Sequence, residues 1–176
     1  MILNRTMSAL LAGVLTSYTC LCFSGDEQWE PPQDLVERIR LINEIQTLAL
    51  DVFLHSPYPV SKRGILTASR EIESVLTYIE VHYACMNQEE EAGYYFGALS
   101  QDLNHALAVN YYRASILEAE NGDEIAAENS RAISLTHLKA SRMVWTEDEL
   151  RSFVISDRFQ RRDSCCDASR GTSTQE

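Results

Sequence analysis

Glycine is scarce in this chain, 7 in 176 residues, and that scarcity excludes several chemistries. There is no glycine-rich phosphate loop and no Gly-x-Ser-x-Gly elbow, and little backbone is free to approach a ligand closely. Basic residues are also few: 15 Lys and Arg stand against 26 Asp and Glu. So acidic a balance repels phosphate backbones and anionic lipid, and the sequence predicts no nucleic-acid partner. Proline is confined to Pro31-Pro32 and to Pro57 and Pro59. No segment alternates apolar and polar residues for long enough to demand a strand.

The one extended apolar run is Met7 to Phe23, preceded by Arg5 and followed by Gly25-Asp26-Glu27. That is the layout of a secretory signal peptide, with the small residues Cys22 and Ser24 where signal peptidase reads before a cut at Gly25, and a cut after Gly25 as its near neighbour. The run is short for a bilayer span and is diluted by Ser8, Thr16, Ser17 and Thr19. Residues 1–24 are therefore predicted to be a cleaved signal, which makes the product secreted or periplasmic. An uncleaved N-terminal anchor is the alternative, and only that alternative ties the chain to a membrane. Neither Cys20 nor Cys22 has the preceding residues of a lipoprotein site.

Removing the signal leaves 14 basic against 26 acidic residues, a formal charge of −12, which favours solubility and basic partners. What remains suits one domain with one core, about 150 residues being the usual size for that. Three cysteines persist, Cys85, Cys165 and Cys166, an odd number in an oxidising compartment. A bond between the adjacent pair would close a strained ring, so Cys85 is expected to pair with Cys165 or Cys166; three unpaired thiols are the alternative. The sequon Asn4-Arg5-Thr6 lies in the signal, and none follows it.

Helical periodicity fills the rest. A first helix is expected from about Asp34 to just before His55, with Leu35, Ile39, Ile42, Ala49 and Phe53 inward and Val36, Ile45, Leu48 and Val52 widening that face. A second is expected from about Ile65 to Met86, carrying Ile65, Ala68, Ile72, Val75, Leu76 and Ile79, with Gly64 at its approach. A polar connector, Asn87 to Gly93, leads to a third helix, Tyr94 to Glu120, striped by Phe96, Leu99, Leu103, Ala106, Leu107, Ala114 and Leu117. Asn121-Gly122-Asp123 supplies a terminating glycine and a capping aspartate, so the third helix and a fourth, Glu124 to Met143, form an antiparallel hairpin. The inward residues of the fourth are read as Ile125, Ala132, Leu135, Leu138 and Met143. Thr146 and Glu149 fit a capping box opening a short fifth helix, Glu147 to about Ile155. The expected architecture is all-α: an antiparallel four-helix bundle spanning residues 25–157, with the short fifth helix near its end, followed by a disordered basic and polar tail, 158–176.

A bundle can hold metal between an acid and a histidine three apart on one helix. Asp102 and His105 have that spacing, but His137 has Ser134 three residues before it, and Glu80 and His82 are only two apart. No metal or cofactor is expected, with Asp102 and His105 as the candidate ligands if there is one. Cys85 beside His82 reads as an interior or disulfide cysteine in place of a nucleophile. Consecutive tyrosines cannot all face one core, so Tyr94, Tyr95, Tyr111 and Tyr112 are the candidate interaction surface; boundary tyrosines with wet hydroxyls are the ordinary alternative. Arg158, Arg161 and Arg162 form the one basic cluster, suited to an acidic partner or to a processing site, with a solvated helix end compensating nearby acids as the ordinary alternative. The functional expectation is an exported helical-bundle protein acting by protein–protein interaction on an unidentified protein partner, with no catalysis of its own. A small metal-binding or hydrolytic enzyme is one alternative, and an envelope-associated structural component held by an uncleaved anchor is another.

Overall fold

The proline pair that cannot sit inside a helix opens one here. In the computed structural model, which describes residues 29–83 and 90–156, the Pro32 carbonyl accepts from the backbone N–H of Leu35 at 3.0 Å and of Val36 at 3.1 Å. Helix α1 runs from there, Gln33–His55, burying Leu35, Ile39, Ile42, Gln46, Ala49 and Phe53. Trp29, just ahead of the prolines, folds onto the core, its ring 5.2 Å from that of Tyr95 and 5.9 Å from that of Phe96. The second helix, α2, spans Val60–Tyr83 and starts five residues before the position read from its apolar pattern. Backbone hydrogen bonding sets the start: the Pro57 carbonyl accepts from Val60 and the Pro59 carbonyl from Arg63, so the polar Ser61-Lys62-Arg63 stretch is already helical. Gly64 is thus interior, where a Cβ would stand 3.2 Å from Val52 Cγ1 and press α1 away.

Helix α3 spans Glu90–Glu120, so Glu90 to Gly93 are helix and not connector. Residues 84–89 lie outside the described part, and with them Cys85. The hairpin turn is as read: Gly122 has φ 82°, a left-handed conformation that glycine adopts without penalty, and Asp123 Oδ1 accepts from the N–H of Ala126 at 3.1 Å. Helix α4 is Glu124–Ala140, ending three residues short of Met143, where Arg142 turns into the left-handed region at φ 55°. The capping box forms in full. Thr146 N–H donates to Glu149 Oε2 at 2.7 Å and Glu149 N–H to Thr146 Oγ1 at 3.3 Å, opening helix α5, residues 147–156. The fold is an all-α antiparallel bundle with a short C-terminal helix, without strands among the described residues. The expected signal 1–24 and tail 158–176 lie outside them.

Two apolar clusters make the core, and α3 belongs to both. Its first half packs Tyr95, Phe96, Leu99, Leu103 and Leu107 against Leu35, Ile39 and Ile42 of α1 and Ile72, Val75 and Ile79 of α2. Its second half packs Ala108, Val109, Tyr112, Ala114 and Leu117 against Phe53, Ile65, Leu138 of α4, and Leu150 and Val154 of α5. From Leu107 to Glu118 only Tyr111 and Ile116 escape full burial. The apolar stripe read from the sequence is therefore one side of a helix covered nearly all round.

Burial on that scale forces pairing of polar groups. Asn110 Nδ2 donates to Gln46 Oε1 at 3.0 Å across the α1–α3 contact, and the Arg113 guanidinium, 2 % exposed, lies 5.6 Å from the Phe53 ring centre. Glu118, its side chain 4 % exposed, meets Lys62 Nζ at 2.6 Å, and that hydrogen bond, then the carboxylate's charge, raises the lysine pKa against the opposing effect of burial.

Helix α4 corrects the sequence reading. Ile125 is 79 % exposed and Ala132 and Met143 also face outward; the buried residues are Ala127, Ser130, Ser134 and Leu138. Small side chains allow close approach: Ser134 Oγ donates to the Ala108 carbonyl of α3 at 2.6 Å. Ile125→Ser should therefore change stability by no more than about 0.5 kcal/mol, while Ser134→Leu, which overfills the contact, should cost about 1–3 kcal/mol; urea unfolding of the two variants checks this, and the reverse ranking would restore the Ile125 face. Lys62→Met should cost about 2–3 kcal/mol by stranding the Glu118 charge, and the double variant Lys62→Met/Glu118→Leu should recover most of that loss; additive losses would show that the pair is not coupled.

Candidate functional site

Where α3, α4 and α5 meet, small side chains leave space. Ser115 and Ala119 of α3 and Ala127 of α4 stand between the larger Tyr112, Ile116, Val154 and Ile155, and together they form the floor and walls of a groove of about 620 Å³. Tyr112, Ser115, Ala127 and Val154 are buried and Ile116 and Ile155 half-buried, and Tyr112, Ile116 and Val154 tie the floor to the second core cluster. The rim is charged: Glu120, Glu124, Glu128, Glu147 and Asp148 against Arg131 and Arg151. Arg131 is engaged within it, with Nη2 2.5 Å from Glu147 Oε1 and Nη1 3.8 Å from Glu128 Oε2. That pairing ties α4 to the start of α5 and leaves the rim with an excess of negative charge. The volume lies within the range of ligand-sized clefts, roughly 300–1,000 Å³.

Nothing in the periodicity marked this groove, because its defining residues are small and come from three elements. The tyrosines that did stand out are separated by the fold. Tyr94 is 68 % exposed, whereas Tyr95 and Tyr112 are buried, in different clusters, and burial raises the pKa of both phenols. Tyr111 is half-buried. Its hydroxyl donates to Glu73 Oε1 of α2 at 2.6 Å, and burial, reinforced by that carboxylate, pushes its pKa up to about 12. The four do not form one face; Tyr112 alone contributes to the groove.

Tyr111 belongs to a chain of polar contacts joining three helices. Its ring stacks on that of His137 of α4 at 5.9 Å, and His137 Nδ1 lies 2.9 Å from Asn104 Oδ1 of α3. Asp102 and His105, the candidate metal ligands, are both half-buried; burial raises the Asp102 pKa and lowers that of His105. His105 faces hydrophobic surface, its ring edge-on to Trp145 at 4.8 Å. Among the described residues no three His, Cys, Asp or Glu side chains converge as metal ligands. Cys85, Cys165 and Cys166 lie outside those residues. No described helix is long and apolar enough to cross a membrane. Comparison with protein-family models, curated proteins and solved structures finds no match to this chain.

The two half-buried imidazoles give stability a direction with pH. His137, like His105, titrates below the ordinary imidazole value of 6.5, burial outweighing the opposing charge of Glu73. The unfolded chain then takes up protons first as pH falls through about 6.5, so stability is fully present above that value and is lost below it. The thermal midpoint should fall between pH 7 and 5.5, a window above most carboxylate titration, and should fall less in the His105→Gln/His137→Gln variant. An unchanged slope in that variant would remove both histidines from the account.

Proposed function

We propose that this protein is exported and acts by binding another protein in the groove between α3, α4 and α5, with no catalysis of its own. The groove is the observation that carries this reading: a floor that includes Tyr112, Ile116 and Val154 of the second core cluster, bordered by five carboxylates and two arginines. Buried apolar contact surrounded by a polar rim is the usual anatomy of a protein-recognition patch. The apolar run Met7 to Phe23 with its flanks supports export, and the excess of acid across the chain supports a basic partner surface drawn in by long-range attraction.

Ala119 offers the direct test, since it is exposed and lines the groove without belonging to either core cluster. Ala119→Trp should fill the space, with a thermal midpoint within a few degrees of the parent, because surface substitutions away from packed features cost about 0.5 kcal/mol or less. Thr67→Trp on the exposed side of α2 serves as the control. A partner captured saturably by the parent and by Thr67→Trp should be lost with Ala119→Trp. Equal capture by all three would place the interaction elsewhere.

A further inference from the structure

We infer that the segment following α5 in the same chain, Arg158-Phe159-Gln160-Arg161-Arg162, docks in this groove. The inference does not rest on the partner reading; it rests on where the chain leaves the described fold and on charge. Val154 and Ile155 line the groove, and α5 ends at residue 156. Arg158 is thus within about 10 Å of a lining residue along the backbone, and Arg162 within about 25 Å even when fully extended, at up to 3.6 Å per residue. The segment begins at the groove wall.

Its chemistry matches what it would meet. The rim carries five carboxylates to two guanidinium groups, one of which, Arg131, is held by Glu147 and Glu128. The segment brings the only close cluster of arginines in the chain, with Phe159 between them. Asp157 and Asp163 flank it, so its net charge is small and its local pattern matters more: three guanidinium groups within five residues. Those arginines fit the acidic rim, and the Phe159 ring fits the floor made by Ile116, Ala119 and Ala127. Each exposed ion pair is weak alone, but a short tether supplies an effective concentration near the millimolar range, which lets a weak contact fill the groove.

The test uses the full mature chain and its Arg158→Gln/Arg161→Gln/Arg162→Gln variant, with no other protein in the tube. Amide resonances of Ser115, Ile116, Ala119 and Ala127 should differ between the two chains, and those of Leu35, Ile39 and Ile72 in the distant cluster should coincide, which also shows that the variant is folded. A synthetic peptide of residues 156–164 should bind the variant about tenfold more tightly than the parent, whose own segment competes, with the difference shrinking as salt rises. Differences confined to residues after Ile155, or equal peptide affinity for both chains, would overturn the proposal. Groove differences that grow with protein concentration would also overturn it, by making the occupant the segment of a second copy. Because no partner is present, these outcomes leave the capture experiment to be judged separately.

Discussion

A helix with almost no solvent face is the constraint on which this structure depends. Between Leu107 and Glu118, α3 is covered by α1, α2, α4 and α5 in turn, so every polar group it carries must be met by another helix or stay costly. Asn110 is met by Gln46, the Ala108 carbonyl by Ser134 and Glu118 by Lys62. Each of these contacts joins α3 to a different helix. Apolar packing would tolerate sliding along the bundle axis; these polar contacts do not, since a shift by one turn would leave a buried amide or carboxylate unmet. Such pairs add little net stability over apolar replacements, and their physical value here is in selecting one register among several of similar hydrophobic burial.

Much of this was legible in the residues. The inward positions of α1 and α2 follow from apolar spacing, because each of those helices buries a single face; Leu48, read as widening that of α1, is the exception at 65 % exposed. The turn at Gly122 and the capping box at Thr146 were readable because their chemistry is local: a left-handed backbone at one residue, and two side chains reaching backbone donors three residues away. Helix α4 was misread for a physical reason. A hydrophobic pattern locates large residues, and Ile125 is large, but the helix approaches α3 through Ala127, Ser130 and Ser134, whose value lies in the room they leave. The same blindness hid the groove, which exists because Ser115, Ala119 and Ala127 are small. The tyrosine pairs were rightly seen as unable to share one core. They resolve differently, Tyr95 and Tyr112 entering separate clusters while Tyr111 exchanges solvent for the Glu73 carboxylate. Trp29, which no helical periodicity includes, is held by the rings at the start of α3.

The distribution of charge has a similar logic. Acidic groups that must be desolvated are given partners across helices, as at Glu118 and Glu73, while the surplus is left on surfaces such as the groove rim. Repulsion among those exposed carboxylates is softened by solvent and salt. It still leaves the site with a field that favours positive side chains, and an apolar floor that contributes free energy once such a side chain brings hydrocarbon or an aromatic ring with it.

The hairpin of α3 and α4 is closed by three residues, and among the four long helices the most extensive backbone approaches are between neighbours in the chain: α1 with α2, α2 with α3, α3 with α4. Little loop entropy must be lost before each pair of helices can meet. Such a topology has low contact order, the property that accompanies folding in microseconds to milliseconds in small helical domains. The contact of Gln46 with Asn110 is different in kind, since it joins α1 to α3 across the whole of α2 and needs a chain that is already compact.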